Sequence, residues 1–573
     1  NGSLSHWLLE VRYRSETECM NTLQSKSLAT EPPLDPLSTV DAVRQIQRRA
    51  HAVSTEFARL CQKLEQHQSN RLPALSRSLV AHINAFLREP PGPSALAAGP
   101  KSALCRQIEV VRQICHRLME ITITVENKST YKEKSTKYFQ NSEEVITIKH
   151  VLPDTEMQGE GGESIKVSSS PEHKSGTESR NKVKECEDRH TDDQKLAEDM
   201  DSTKEIAQVV TALGHAFTRL VDIMLSVEIK EVVACLDDDS SSQESVTSAL
   251  RQITSLGVDG GHICRLIAKL GGVRALLGLN VEPRRRGLRV AALRALATVC
   301  CVADGIAQLE RAGGIEVIVE ILCDEASPEE EKSEASAVLA QITSPWVEGN
   351  HSIVSLHRHI TPVVAALTGL VRSTDSAEIF LLGSAALANI TFLEGGSCAS
   401  AMIAAGTAAV LLRAAADTQG LSVFTKDQIA TVIASLCISK AGAEEVAREG
   451  GVQALVGLLA TRPPQHPARM PEVTAAERVQ QKSAIAVSRL CSDAVLSSEV
   501  LSLGGGARLV RLCKDEAERN HSDAVLVACL AALRKIASSC DREQLKCIDA
   551  AELVEPRLLD SFLSFSSRQE SYV

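Results

Sequence analysis

A Gly-Gly pair followed by an apolar helical run recurs through the second half of the chain. It stands at Lys269-Leu270-Gly271-Gly272-Val273-Arg274-Ala275-Leu276-Leu277, at Arg311-Ala312-Gly313-Gly314-Ile315-Glu316-Val317-Ile318 and at Arg448-Glu449-Gly450-Gly451-Val452-Gln453-Ala454-Leu455. Weaker copies follow Gly406 and Gly504, and one without glycines fits at Ile360-Thr361-Pro362-Val363-Val364. Anchor-to-anchor steps are 42 (271 to 313), 46 (to 359), 47 (to 406), 44 (to 450) and 54 (to 504), the last stretched by Arg462-Pro463-Pro464-Gln465-His466-Pro467. Between anchors lies an Ala/Leu helix: 291–299, 335–342, 384–390, 429–436, 483–490 and 525–536. Self-similarity at a fixed period in the forties restricts the fold to an array of supersecondary units. Each unit buries its apolar face only against the next.

Composition points the same way. Aromatic residues are 3% of the 573, too few for a sandwich, a barrel or a base-stacking platform, while 44% of residues are apolar. Leu, Ala, Val and Ile are the side chains that let helices approach closely. The chain is therefore expected to be all-α. Its repeats, with a glycine turn and a small-residue inner helix, resemble armadillo repeats, which implies a superhelical solenoid over 244–565.

The organisation before the repeats is less regular. Residues 1–32 read as a short helix and an extended tail closed by Glu31-Pro32-Pro33. Over 36–126, Val40, Val43, Ile46, Val53, Phe57, Leu60 and Leu64 form one apolar helix face; Leu75, Leu79, Ile83 and Phe86 form a second. Leu104, Ile108, Val111, Ile114 and Leu118 form a third. Ser, Thr, Lys, Glu and Asp dominate 127–204, which is expected to be a disordered insert because it cannot bury enough apolar area to offset its ordering entropy. A fourth amphipathic helix resumes at Ile206, so 36–126 and 205–243 are expected to make one helical bundle around the looped-out insert. Residues 566–573 are left as a C-terminal tail.

No catalytic constellation stands out: there is no Walker loop, HExxH, GxSxG or GxGxxG after a strand. No enzyme and no cofactor are expected. His351, His357 and His359 cluster without a nearby carboxylate or thiol, which reads as a solvated loop rather than a metal site. Arg284-Arg285-Arg286 reads as a polar loop between repeat helices. A net charge of −11 makes a phosphate backbone a poor partner, and nucleic acid is not expected. The 17 cysteines sit mostly in apolar runs with no CxxC pair, as reduced thiols in the cytosol do. The longest apolar stretch, about Ala401 to Leu412, is too short to span a bilayer. The chain begins with Asn1 rather than Met and is expected to be a fragment.

Three places read as binding sites. Armadillo arrays bind extended peptides along their inner helices, and a recurrent Asn there pairs with the ligand backbone. The equivalent positions here are Thr298, Gln341, Asn389, Ser435, Arg489 and Lys535, so only Asn389 keeps that amide. A groove adapted to another partner, or to an intramolecular tail, fits this better than importin-type clamping. In the N-terminal segment, Trp7, Leu8 and Val11 share a helical face, followed by an extended stretch with Glu16 and Glu18. An aromatic anchor followed by carboxylates suits a long concave groove with basic walls. Trp7 capping the bundle is the competing reading. The C-terminus, Ser571-Tyr572-Val573, has the pattern of a class I PDZ ligand: a terminal carboxylate for backbone amides, a valine for a pocket and a hydroxyl two residues before it.

Several stretches resemble the Inscuteable family, adaptors of asymmetric cell division, in an insect-like form. They are the Trp7 helix with Glu16-Thr17-Glu18-Cys19-Met20 and Leu23-Gln24-Ser25-Lys26, Leu266-Ile267-Ala268-Lys269, Phe380 to Phe392, Glu477 to Lys482, Asn520 to Leu533, and Pro556 to Phe562. The resemblance covers everything except 127–204. It implies a non-enzymatic scaffold at the apical cortex, in the cytoplasm, active in dividing neuroblasts and epithelia. Its N-terminal segment would bind the TPR superhelix of Pins (LGN in vertebrates), which in turn holds inhibitory G-protein alpha subunits. The armadillo part would associate with the Bazooka/Par complex, joining polarity to spindle orientation. The TPR-contacting set then becomes Trp7, Leu8, Val11, Glu16, Glu18, Cys19, Met20, Leu23 and Gln24. Whether the bundle helices extend that interface or mediate self-association stays open. The alternative from a different class is an armadillo peptide-binding module in nuclear transport or transcription.

Overall fold

A computed structural model describes residues 39–66, 68, 71–88, 102–148, 177–345, 347, 353–393, 397–416, 421–463, 470–540 and 542–554. All regular structure among these residues is helical. The N-terminal segment 1–38 and the tail 555–573 lie outside them, and with them every expected TPR-contacting residue and the PDZ-ligand residues. The chain divides into two compact units at Ile229/Lys230.

The first unit is a helical bundle of α1 (Thr39–Glu65), α2 (Leu72–Arg88), α3 (Ala103–Ile148) and most of α4 (Thr177–Asp237). The apolar faces expected from spacing are the buried ones: Val40, Val43, Ile46, Val53 and Leu60 on α1, and Leu79, Ile83 and Phe86 on α2. Phe217 of α4 sits 5.1 Å from Phe86 and 6.1 Å from Phe57 between ring centroids, the aromatic centre of this core. The buried Glu56 carboxylate is paired with Arg59 at 2.6 Å and accepts a hydrogen bond from Ser78 Oγ of α2 at 2.9 Å. Helices α3 and α4 run past the expected edges of the insert, to Ile148 and back to Thr177. Lys and Glu propagate a helix well, so a helix nucleated by the bundle continues through a segment rich in them.

The second unit is the repeat array. Each repeat has a first short helix, a second helix and a longer inner helix. The inner helices are α5 (Gln243–Val258), α8 (Arg289–Val299), α11 (Glu329–Ile342), α14 (Ala377–Ile390), α17 (Val423–Leu436), α20 (Met470–Leu490) and α23 (Asp523–Ala537). They stack in chain order, each packing on the next, as an armadillo superhelix requires. The first helices are α6 (Gly261–Lys269), α9 (Ala303–Arg311), α12 (Val354–His357), α15 (Ser397–Ala405), α18 (Lys440–Arg448), α21 (Ala494–Ser502) and α24 (Arg542–Cys547). The second helices are α7 (Gly272–Val281), α10 (Gly314–Cys323), α13 (Ile360–Ser373), α16 (Thr407–Ala416), α19 (Gly451–Leu459) and α22 (Gly505–Lys514). The array therefore opens one inner helix earlier, at Gln243, than the glycine anchors alone indicate.

The anchors have two jobs. Gly271, Gly313, Gly406, Gly450 and Gly504 all hold φ between 69° and 90°, the left-handed turn from first to second helix. The second glycine of the pair admits the first helix: a Cβ on Gly451 would lie 2.5 Å from the Val446 carbonyl oxygen. The copy without glycines uses His359 at φ −109°, and its first helix shrinks to the four residues of α12. Among the described residues no single helix is long and apolar enough to cross a membrane. The apolar pair α15/α16 bends by 67° at Gly406.

Candidate peptide-binding groove

Each inner helix packs on the inner helices before and after it. The six ladder positions recur near the end of each inner helix, and residues four and seven before them share a face with them. The structure places the ladder as follows. Asn389 Nδ2 donates to the Ala340 carbonyl oxygen on α11 at 2.7 Å. Arg489 Nη1 donates to the Ala434 carbonyl oxygen on α17 at 2.6 Å. Ala340 and Ala434 each precede a ladder residue, Gln341 and Ser435. Both contacts are thus the same tie from one ladder residue to the backbone of the preceding repeat. Thr298 turns back to its own helix, donating to Arg294 O at 2.9 Å. Gln341 is buried. Lys535, on the last inner helix, is exposed.

Charge lies between these ties, and sequence reading did not single it out. Arg289 pairs with Glu331 and Arg294 with Glu334, both at 2.7 Å, bonding α8 to α11. Farther along, Asp427 of α17 is buried and receives Arg478 Nε at 2.8 Å and Lys482 Nζ at 3.1 Å from α20. Lys482 also donates to Thr431 Oγ1 at 2.6 Å. Burial pushes the Asp427 carboxyl up, but the two cations outweigh it and hold it below the ordinary value. The signal was present as charges standing four to eleven residues before the ladder positions in otherwise Ala-rich helices. It becomes legible only when consecutive repeats are laid in register.

Other candidates resolve without chemistry. Arg284–Arg286 lies in a 3-10 turn, Pro283–Leu288, where Arg285 donates to Asp238 O at 3.0 Å and Arg286 stands 3.9 Å from Glu331. Among the described residues no group of three or more His, Cys, Asp or Glu could hold a metal ion. The described cysteines are free thiols, most of them wholly or partly buried, with Cys61, Cys323 and Cys547 exposed. Cys264 is buried against the backbone, donating to Gly257 O at 3.4 Å and Thr298 O at 3.5 Å.

What remains is a stack of inner helices whose polar groups are largely committed to holding repeats in register.

Residues 179–573 match the family model described as "Protein inscuteable C-terminal". The chain is 32% identical over 590 residues to the mouse protein inscuteable homolog, covering all of this chain and 87% of that one. It is 32% identical over 587 residues to the human homolog, with the same coverage. Among solved structures, an engineered protein aligns at 25% identity and TM-score 0.45 over 57% of this chain and 72% of its own. A designed armadillo repeat protein, crystallised with the peptide (KR)4, aligns at 20% identity and TM-score 0.36 over 46% of this chain and 99% of its own. The match over most of the chain and the identity along its whole length agree: the chain belongs to the inscuteable family.

Proposed function

We propose that this inscuteable-family member, an adaptor in asymmetric cell division, links the apical Bazooka/Par complex to Pins/LGN and, through it, to inhibitory G-protein alpha. The N-terminal segment is the TPR ligand: Trp7, Leu8 and Val11 anchor a helix, and Glu16 and Glu18 take charge-assisted hydrogen bonds in the partner's groove. Cys19, Met20, Leu23 and Gln24 continue the contact as an extended strand. The repeat array carries the polarity complex. What supports the reading is that the match to two inscuteable homologs covers all of this chain, the ligand-like segment included. Importin-type clamping is disfavoured, because the one ladder asparagine donates to Ala340 and cannot also serve a ligand backbone with that hydrogen.

Light scattering on the full chain mixed with the Pins TPR domain tests this. A stable complex is expected with the wild type, and none with Trp7→Ala at unchanged helical circular dichroism. A well-folded wild type that forms no complex rules the N-terminal site out. The C-terminal tail makes a separate prediction: deleting Val573 removes the terminal carboxylate from register and abolishes capture by class I PDZ domains. Unaltered capture by a PDZ array would exclude the motif.

A further inference from the structure

Two cysteines far apart in sequence meet where the first repeat of the array gives way to the next. Cys264 lies on α6, and Cys301 lies in the turn between α8 and α9. Both close on one acceptor, the Thr298 carbonyl oxygen: Cys264 Sγ donates to it at 3.5 Å and the Cys301 N–H at 3.4 Å. Gly261, the first residue of α6, allows this approach, since a Cβ there would stand only 3.1 Å from Val302 Cγ1 of the turn. The two thiols lie within hydrogen-bonding reach of each other. Cys264 is fully buried, whereas Cys301 is partly exposed. One sulfur is therefore open to a small reagent, and the second stands directly behind it.

The surroundings favour a thiolate on Cys301. Burial pushes Cys115 and Cys491 up to about 11 and Cys437 up to about 12, the ordinary fate of a thiol in a helical core. Cys301 moves the other way. The hydrogen bond from Cys264 outweighs burial and holds its thiol below the ordinary value, with the exposed Arg265 guanidinium adding to the effect. Cys300, its neighbour in the chain, is fully buried and pushed far up by desolvation, which leaves it protonated. A reachable thiolate in contact with a second thiol is the arrangement that peroxides oxidise and that then closes a disulfide.

We propose that Cys301 and Cys264 form a peroxide-sensitive modification site that reversibly ties α6 to the turn opening the next repeat. With hydrogen peroxide as the oxidant, the Cys301 thiolate attacks one peroxide oxygen. An S–O bond forms, the O–O bond breaks, and hydroxide leaves and takes up the proton that Cys301 released. The Cys264 thiol then attacks the sulfenic sulfur. An S–S bond forms, the S–O bond breaks, and the hydroxyl departs with the Cys264 proton as water. The two thiols lose two electrons, peroxide gains them, and two waters result. A thiol reductant reverses the link by exchange.

The test oxidises the full reduced chain with hydrogen peroxide, quenches by alkylation and digests with trypsin without reduction. Peptides 252–265 and 295–311 are expected as one linked species, released by dithiothreitol. The link should form several-fold faster than the exposed Cys323 and Cys547 oxidise. Peptide 295–311 carries both Cys300 and Cys301, so variants separate them. Cys300→Ala should leave the link unchanged, and Cys301→Ser should abolish it. Cys264→Ser should leave Cys301 as a sulfenic acid that dimedone captures. The wild-type peptide map and its rates need no variant, so they decide the matter where Cys264→Ser loses helical circular dichroism. A chain that forms no link while its exposed thiols oxidise overturns the proposal. So does a link that survives Cys301→Ser, which would assign the chemistry to Cys300. Oxidation of Cys301 no faster than that of Cys323 and Cys547 overturns it too.

Discussion

Asp427→Ala is expected to destabilise the repeat array by about 3–5 kcal/mol, because it leaves two cations in a largely desolvated site with no anion between them. The carboxylate is buried, and both its oxygens are used: Oδ2 by Arg478 and Oδ1 by Lys482, two side chains one helical turn apart on α20. It thus fixes the register of α20 against α17. Asp427→Asn keeps the volume and one acceptor and should lose less. Urea unfolding followed by circular dichroism measures the difference, and a loss under about 1 kcal/mol would mean that water replaces the carboxylate. The pH dependence has a definite sign. The folded carboxyl titrates below the ordinary aspartate value of 3.8, so its contribution is complete above that value and disappears as pH falls through the lower, folded one. The wild type should therefore lose stability on acidification below about pH 4 more steeply than Asp427→Ala.

That site also marks where reading the sequence stopped. The glycine anchors were legible because they do one thing each time: Gly271, Gly313, Gly406, Gly450 and Gly504 all turn left-handed. Apolar spacing identified the bundle faces, since burial follows a period of 3.6 wherever one side of a helix meets a core. The ladder was legible as positions and not as contacts. That Asn389 and Arg489 both reach the carbonyl before the preceding ladder residue follows from how closely inner helices stack, which no single helix reveals. The Asp427 cluster was hidden for the same reason, its partners standing 51 and 55 residues away in sequence. Helices α3 and α4 outran the expected edges of the insert because low hydrophobicity reports what a segment can bury, not how far a nucleated helix will propagate.

Two glycines in one repeat should respond to alanine in opposite directions. Gly442 lies in the first turn of α18, where Ser439 caps the helix by accepting from its N–H at 3.0 Å. That cap brings the glycine over the end of inner helix α17. A Cβ there would stand 2.1 Å from the Leu436 carbonyl oxygen and 2.9 Å from its carbon. The obstacle is backbone, so relief requires moving α18 bodily away from α17. Alanine's helix propensity would gain up to about 1 kcal/mol. An overlap of this depth outweighs it, and a net loss of about 1–3 kcal/mol is expected, the usual range for overpacking. Gly305 occupies the equivalent place after α8, with a Cβ 2.5 Å from Val299 O, and should behave alike. Gly457, inside α19, has nothing within 4 Å of a built Cβ, so Gly457→Ala should stabilise by about 0.5–1 kcal/mol. Thermal unfolding of the two variants beside the wild type reads both signs at once. A rise in Tm for Gly442→Ala would mean that the turn between inner and first helix yields under load. The close stacking that holds Asn389 and Arg489 within reach of the preceding repeat would then be a consequence of the side-chain ties rather than of the turn.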